Sequence, residues 1–80
     1  MPEDSIVELD PYLAFLFSTQ AADGAWTASI QFQRLDDMGQ DYEPPSVRKE
    51  LPGSFASRQA ALQAAEQLAS QLHRDGAVGL

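Results

Sequence analysis

The longest periodic pattern of hydrophobic residues lies between Phe55 and Gly76. At about 100° per residue, these residues form one stripe roughly 120° wide on a helix, made of Ala61, Leu62, Ala65, Leu68, Ala69 and Leu72. Ser57 can accept hydrogen bonds from the N–H groups of the first turn, and Gly76 stands where a left-handed residue often ends a helix. The pattern predicts one long helix over residues 55–75, with a narrow apolar face rich in alanine.

Two upstream stretches alternate at the spacing of β-strands. In Ala25–Arg34, apolar side chains alternate with threonine, serine and glutamine, so one face is apolar and the other is polar. An Asp23-Gly24 pair precedes this stretch and predicts an antiparallel hairpin with positive φ at both turn residues. The stretch before the turn, Tyr12–Gln20, is apolar on both faces: Leu13, Phe15 and Phe17 lie on one, and Tyr12, Ala14 and Leu16 on the other.

Three shorter segments complete the chain. Ser46–Leu51 alternates and bears charges that discourage edge-to-edge association, so it is predicted to be an edge strand. The polar segment 36–45 is predicted to be a loop, and brief pairing around Tyr42 is left open. Near the start, Ile6–Leu9 precedes Pro11, which cannot donate a hydrogen bond within a sheet. This early segment, within residues 1–11, is either a short edge strand or an arm that lies over the sheet.

Together these elements predict a single α+β domain over residues 1–80. Its architecture is an antiparallel β-meander of three to four strands, with residues 12–51 as its main part, and a single C-terminal helix packed on one face. Trp26, Ile30 and Phe32 are expected to meet the leucines of the helix. Phe55 is expected to close the end of that core.

One helix covers one face of a sheet, yet the first long strand is apolar on both faces. If Leu13, Phe15 and Phe17 face the helix, the residues on the other face need another cover. The N-terminal arm, a protein partner or second copy of the chain, and partial exposure are the alternatives, since sizeable apolar patches usually mark contacts. The pattern does not decide which face the helix covers.

The charge distribution narrows the classes of partner. The formal net charge is −7, divided into −8 for residues 1–45 and +1 for residues 46–80. Phosphate backbones and anionic membranes bind clustered lysine and arginine, so neither direct nucleic-acid binding nor membrane binding is expected. The chain has no cysteine, no recognisable secretory signal and no apolar run long enough to cross a bilayer. A cytoplasmic protein is therefore expected.

Few side chains are of types that could act in catalysis or bind a metal. His73 is the single histidine and lies in the last turn of the predicted helix, where positive charge suits the helix dipole. Ser57 is explained as a helix cap, and neither it nor Ser54 has an evident base. One loop carries a cluster of carboxylates, which lacks the spacing of a calcium-binding loop: Asp36, Asp37, Asp41 and Glu43. No catalytic, cofactor-binding or metal-binding residue is predicted, and an enzyme is not expected.

Two segments carry a resemblance to a known type of protein. The strand residues Trp26–Ile30, followed by Phe55–Ala61 with its Phe-x-Ser-x-x-Ala-Ala pattern, resemble small uncharacterised bacterial proteins, some of them prophage-borne. The resemblance covers about half of the chain and extends along the helix to Ala69. Such helices often end near an Ile-Asp pair, whereas this one ends with His73–Gly76. The resemblance implies a meander followed by a helix and a mobile-element origin, and it transfers no site residues.

The sequence thus predicts a small non-catalytic protein that acts through protein–protein interaction, and the resemblance extends this to an accessory component of a prophage or phage-tail-like assembly. The predicted contact surface, for a protein partner or a second copy, combines one strand face with the polar helix face: Tyr12, Ala14, Leu16, Gln59, Gln63 and Gln67. The alternative is an acidic nucleic-acid mimic that inhibits a DNA- or RNA-binding protein. Its contact loop would be formed by Asp36, Asp37, Asp41 and Glu43.

Overall fold

The computed structural model describes residues 4–35 and 45–79. These residues form four strands and one helix: β1 (Ser5–Leu9), β2 (Tyr12–Gln20), β3 (Trp26–Arg34), β4 (Ser46–Glu50) and α1 (Arg58–Arg74). The strands make one antiparallel sheet in the order β1-β2-β3-β4, so each strand pairs with its neighbour in sequence. The predicted α+β meander with one C-terminal helix is confirmed. The acidic loop and Tyr42 lie outside the described residues.

The β2–β3 hairpin has the predicted partners but a different turn. Gln20 pairs with Trp26, and within the loop the Ala21 N–H donates to the Ala25 carbonyl at 2.7 Å. Gly24 has a φ of 89°, whereas no non-glycine residue of the described ranges has a positive φ. The prediction of positive φ at Asp23 is therefore wrong. Its carboxylate instead accepts a hydrogen bond from the Ala25 N–H at 3.0 Å, which lets a single left-handed residue close the loop.

The ends of α1 follow from local hydrogen bonding. The Ser57 hydroxyl accepts a hydrogen bond from the Ala60 N–H at 3.1 Å, as predicted for a cap. The helix begins at Arg58 and not at Phe55, because the Phe55 backbone exchanges two hydrogen bonds with Trp26, at 2.8 and 2.9 Å.

At the other end of α1, Gly76 has a φ of 66° and confirms the predicted left-handed cap. The N–H groups of Gly76 and Ala77 donate to the His73 and Leu72 carbonyls, at 3.3 and 2.8 Å, which is the pattern of a Schellman motif. The chain then returns towards the sheet, and Val78 joins the core with 2% of its surface exposed.

The core lies between α1 and one face of β2 and β3. On the helix, three alanines are fully buried and the leucines of the stripe pack beside them, as the spacing predicts. On the sheet, the small Ala14 is opposite the large Phe32, and Leu16 is opposite Ile30, while Ala28 is a second small residue on the same face. Because alanines line the helix and small residues interrupt the sheet, the two layers can approach closely around the large side chains.

Both predicted edge strands are present. β1 pairs with β2 from Ser5 to Leu9, so the alternative of an arm lying over the sheet is wrong. β4 pairs with β3 from Ser46 to Glu50 and forms the opposite edge. Trp26, Ile30 and Phe32 contribute to the helix side of the sheet as predicted.

Candidate protein-interaction surface

The helix covers the face of β2 that the predicted contact surface uses. Ala14 and Leu16 are 0% and 1% exposed, and both belong to the core beneath α1. Tyr12 lies on the same face, packs against that core and meets the His73 ring edge-on, with centroids 6.4 Å apart. The prediction that these residues are available to a partner is therefore wrong for Ala14 and Leu16, whereas Tyr12 is half-buried and its contact with a partner stays a prediction. The hairpin register sets this orientation, because it aligns this face of β2 with the only apolar face of β3.

The opposite face of β2 therefore turns away from the helix. Leu13, Phe15 and Phe17 lie on it, half-buried, and the described residues include no second layer over them. Ile6 of β1 is directly beside Phe15 in the register and is 51% exposed, the most of any large hydrophobic side chain in the described ranges. We call these four residues, Ile6, Leu13, Phe15 and Phe17, the apolar strip.

Polar side chains of β3 and β4 occupy the other half of this open face. The Gln31 amide donates to the Ser46 hydroxyl at 3.2 Å, and the Arg48 guanidinium donates to the Ser29 hydroxyl at 2.9 Å. The same guanidinium lies 5.0 Å from the centroid of the Phe17 ring, a cation–π distance. These contacts fix β4 to β3 and cover one end of the apolar strip, so the strip is bordered on one side by hydrogen-bonding groups.

The predicted polar helix residues lie at the surface. Gln59, Gln63 and Gln67 are all exposed on α1. Gln59 and Gln63 border a shallow groove of about 500 Å³ between α1 and the start of β1. Their exposure agrees with the prediction, whereas their contact with a partner stays a prediction.

An ion pair that the sequence did not indicate lies at the start of β1. One carboxylate oxygen of Asp4 accepts hydrogen bonds from the Arg58 Nε and Nη2, at 3.1 and 2.8 Å. The other oxygen accepts from the Ser18 N–H and hydroxyl, at 2.6 and 2.9 Å. The Arg58 hydrogen bond, and after it the Ser18 amide, hold the pKa of the Asp4 carboxyl below its ordinary value. The pair joins residues 54 positions apart, which no local spacing reveals.

His73, in the last turn of α1, contacts the backbone just after the end of β1, as Arg58 contacts Asp4 just before its start. Its Nε2 lies 2.8 Å from the Asp10 carbonyl oxygen. Because a carbonyl can only accept, Nε2 must be the donor, which sets the hydrogen position on the ring. The histidine predicted to stand at the helix terminus thus also binds the β1–β2 connection. Within residues 4–35 and 45–79, no three histidine, cysteine or carboxylate side chains are grouped as a metal site requires.

Comparisons with protein-family models, with curated proteins and with solved structures found no match to this chain. The resemblance to prophage-borne proteins therefore stays a prediction. Across the described ranges, no helix combines the length and the apolar character that crossing a bilayer requires.

Proposed function

We propose that this protein is a non-catalytic interaction module that binds a protein partner through the open face of its sheet. The observation that carries the proposal is the apolar strip, which faces away from α1 and has no second layer over it among the described residues, apart from the Arg48 guanidinium at Phe17. The resemblance noted above extends the proposal to an accessory component of a phage-derived assembly. The absence of cysteine suits a reducing compartment such as the cytoplasm.

The contrast with β3 supports this use of the open face. On that face β3 carries only threonine, serine and glutamine, which water solvates well. β2 places Leu13, Phe15 and Phe17 there instead, and burying such side chains is worth about 25 cal/mol per Å² of apolar surface. A protein surface that covers the strip would gain this free energy on binding.

The layout of the face indicates the chemistry of the partner. Interfaces commonly combine an apolar centre with a polar rim that hydrogen-bonds across it. Here the strip supplies the apolar part, and Gln31 and Gln33 on β3, which pair with Phe15 and Leu13, supply donors and acceptors beside it. The partner we expect therefore presents an apolar ridge flanked on one side by hydrogen-bonding groups.

The acidic-mimic alternative has less support. Its contact residues, Asp36, Asp37, Asp41 and Glu43, lie outside the described residues. The described ranges carry seven acidic and five basic side chains, a net charge of only −2, and one of the acids, Asp4, is paired with Arg58. The mimic is therefore treated as an outcome of the test.

The test compares two variants that add the same charge to the open face. Phe15→Glu places a carboxylate in the apolar strip, and Thr27→Glu places one on the exposed polar half of the same face. Proteins captured from cell lysate by the tagged wild type should also be captured by Thr27→Glu, but not by Phe15→Glu. Their binding to the wild type should persist at high salt, because apolar contacts are not screened by ions. Equal capture by both variants would contradict the proposal. Capture only at low salt, of proteins that bind nucleic acid, would favour the mimic.

A further inference from the structure

The two edges of the sheet differ in how they are protected from pairing with another strand. β4 carries Arg48, Lys49 and Glu50 within five residues, and such charges discourage edge association. β1 carries one charge, Glu8, and contains the exposed Ile6. Among the described elements nothing pairs with the outer side of β1, and α1 packs mainly over β2 and β3. The outer side of β1 is thus an open, weakly charged edge.

β1 is also held in place at both ends. Asp4, just before it, is bound by Arg58 and Ser18, and its N–H donates to the Leu16 carbonyl at 2.8 Å. Asp10, just after it, is bound by His73. A strand that is already ordered loses little further conformational freedom when another strand pairs with it, which favours association.

The residues of β1 are self-complementary in one register. When a twofold axis relates two antiparallel strands, the residue on the axis lies opposite its own copy. Centring the pair on Ile6 aligns three strand residues and sets Asp4 against Glu8 of the second copy. Centring the pair on Glu8 also aligns only three strand residues, and it places the two Glu8 carboxylates opposite each other, which is destabilising.

Centring the pair on Val7 aligns all five residues of β1, with no like charges opposed within the strand. Just beyond the strand ends, this register brings Asp4 near Asp10 of the second copy, and the Arg58 guanidinium offsets the Asp4 charge there. On the helix side Val7 meets its own copy and Ser5 meets Leu9. On the open side Ile6 meets Glu8, whose methylenes can cover it. Val7 and Leu9 already pack against the core, so the two cores would join beneath two helices on the same side of the sheet.

We propose that β1 pairs antiparallel with β1 of a second copy, centred on Val7, so that two four-stranded sheets become one of eight strands. Five residues a side form less than a standard interface of about 1,600 Å², so the dimer should be reversible and concentration-dependent. This inference goes beyond the proposed function, because it uses the edge of the sheet and not its open face. Either can fail while the other stands.

Sedimentation velocity over about a hundredfold range of concentration tests the dimer. For the wild type, the mass should rise from 8.7 kDa towards twice that value. Ile6→Glu opposes a carboxylate to Glu8 at two symmetric places and should abolish the rise, while Ile6→Glu with Glu8→Lys should restore it. Ser46→Glu adds the same charge to an exposed position of the other edge strand and should leave the dimer unchanged.

A cysteine pair tests the register independently of how Ile6→Glu folds. The chain has no cysteine, so Val7→Cys introduces a single thiol that lies opposite its own copy and should form a disulfide-linked dimer on mild oxidation. Ser5→Cys is the matched control on the same strand and face, because its two copies would be roughly 14 Å apart. A monomer at every concentration, a dimer that tolerates Ile6→Glu, or cross-linking of Ser5→Cys as readily as Val7→Cys would overturn the proposal.

Discussion

β2 and β3 are both nine residues long and lie side by side, yet they differ on the face that points away from the helix. β3 is polar there, and its own pattern decides which of its faces enters the core. β2 is apolar on both faces, so its pattern leaves the choice open. Its orientation is inherited from β3 through the hairpin register. A strand with two apolar faces is therefore oriented by its neighbour, and its unused apolar face becomes available for contacts outside the fold.

The largest expected effect is the difference in stability between two separate Phe→Ala variants, one on each face of the sheet. Phe32→Ala, at a side chain that is 0% exposed, should lower the free energy of unfolding by about 3–5 kcal/mol. A chain of this size has about 4–12 kcal/mol in total, so this variant should be largely unfolded at modest urea concentrations. Phe15→Ala, on the open face, should cost less than about 1.5 kcal/mol. Equal losses in urea titrations would mean that Phe15 is covered as completely as Phe32.

The close approach of α1 to the sheet predicts the next effect. Ala65 is 0% exposed, so Ala65→Leu should overpack the interface and cost about 1–3 kcal/mol. Gln67→Leu inserts the same side chain on the exposed side of the helix and should change stability by less than about 0.5 kcal/mol. Thermal unfolding of the two variants measures the difference. If Ala65→Leu were neutral, the helix would have room that the buried alanines do not indicate.

The ion pair at the start of β1 predicts a pH-dependent effect. Asp4→Asn should cost about 1–2 kcal/mol at neutral pH, because the charge-assisted hydrogen bonds to Arg58 and Ser18 are weakened. Folding lowers the pKa of Asp4. The stability that the ionised Asp4 contributes is therefore fully present above its unfolded-state pKa, and it is lost as the pH falls through its folded-state pKa. Wild type and Asp4→Asn should therefore converge in urea titrations at acid pH. Glu8→Gln, the control, removes one charge from the adjoining strand β1 and should show a smaller difference in the free energy of unfolding at neutral pH.

The smallest expected effect concerns the polar half of the open face. Arg48→Lys keeps the charge but loses the planar group that lies over Phe17 and donates to Ser29. The free energy of unfolding should fall by less than about 1 kcal/mol. Thr27→Ser, a comparably small change on the same face, should have no measurable effect. A loss of several kcal/mol for Arg48→Lys would make this arginine a principal cover of the strip.

Features encoded by neighbouring residues could be predicted from the sequence, whereas those that depend on distant residues could not. The Ser57 and Gly76 caps and the alanine stripe are local patterns, and each appears in the structure as expected. The orientation of β2 depends on its register with β3, so the prediction that Ala14 and Leu16 contact a partner is wrong: both lie on the face beneath α1. Val78 follows the helix cap and shows no periodic signal, yet it completes the core.

The contacts that α1 makes with both ends of β1 have a consequence for when this edge strand is secured during synthesis. Arg58 in the first turn of α1 holds Asp4, and His73 in the last turn holds Asp10, so the helix braces both ends of the edge strand. During synthesis β1 and β2 emerge from the ribosome before α1, so the two contacts from the helix form after the strands have emerged. A nascent or truncated chain that lacks α1 therefore holds β1 only through its pairing with β2 and the hydrogen bonds of Asp4 to Ser18 and Leu16. Only a chain that includes α1 has both ends of this edge strand held by the helix.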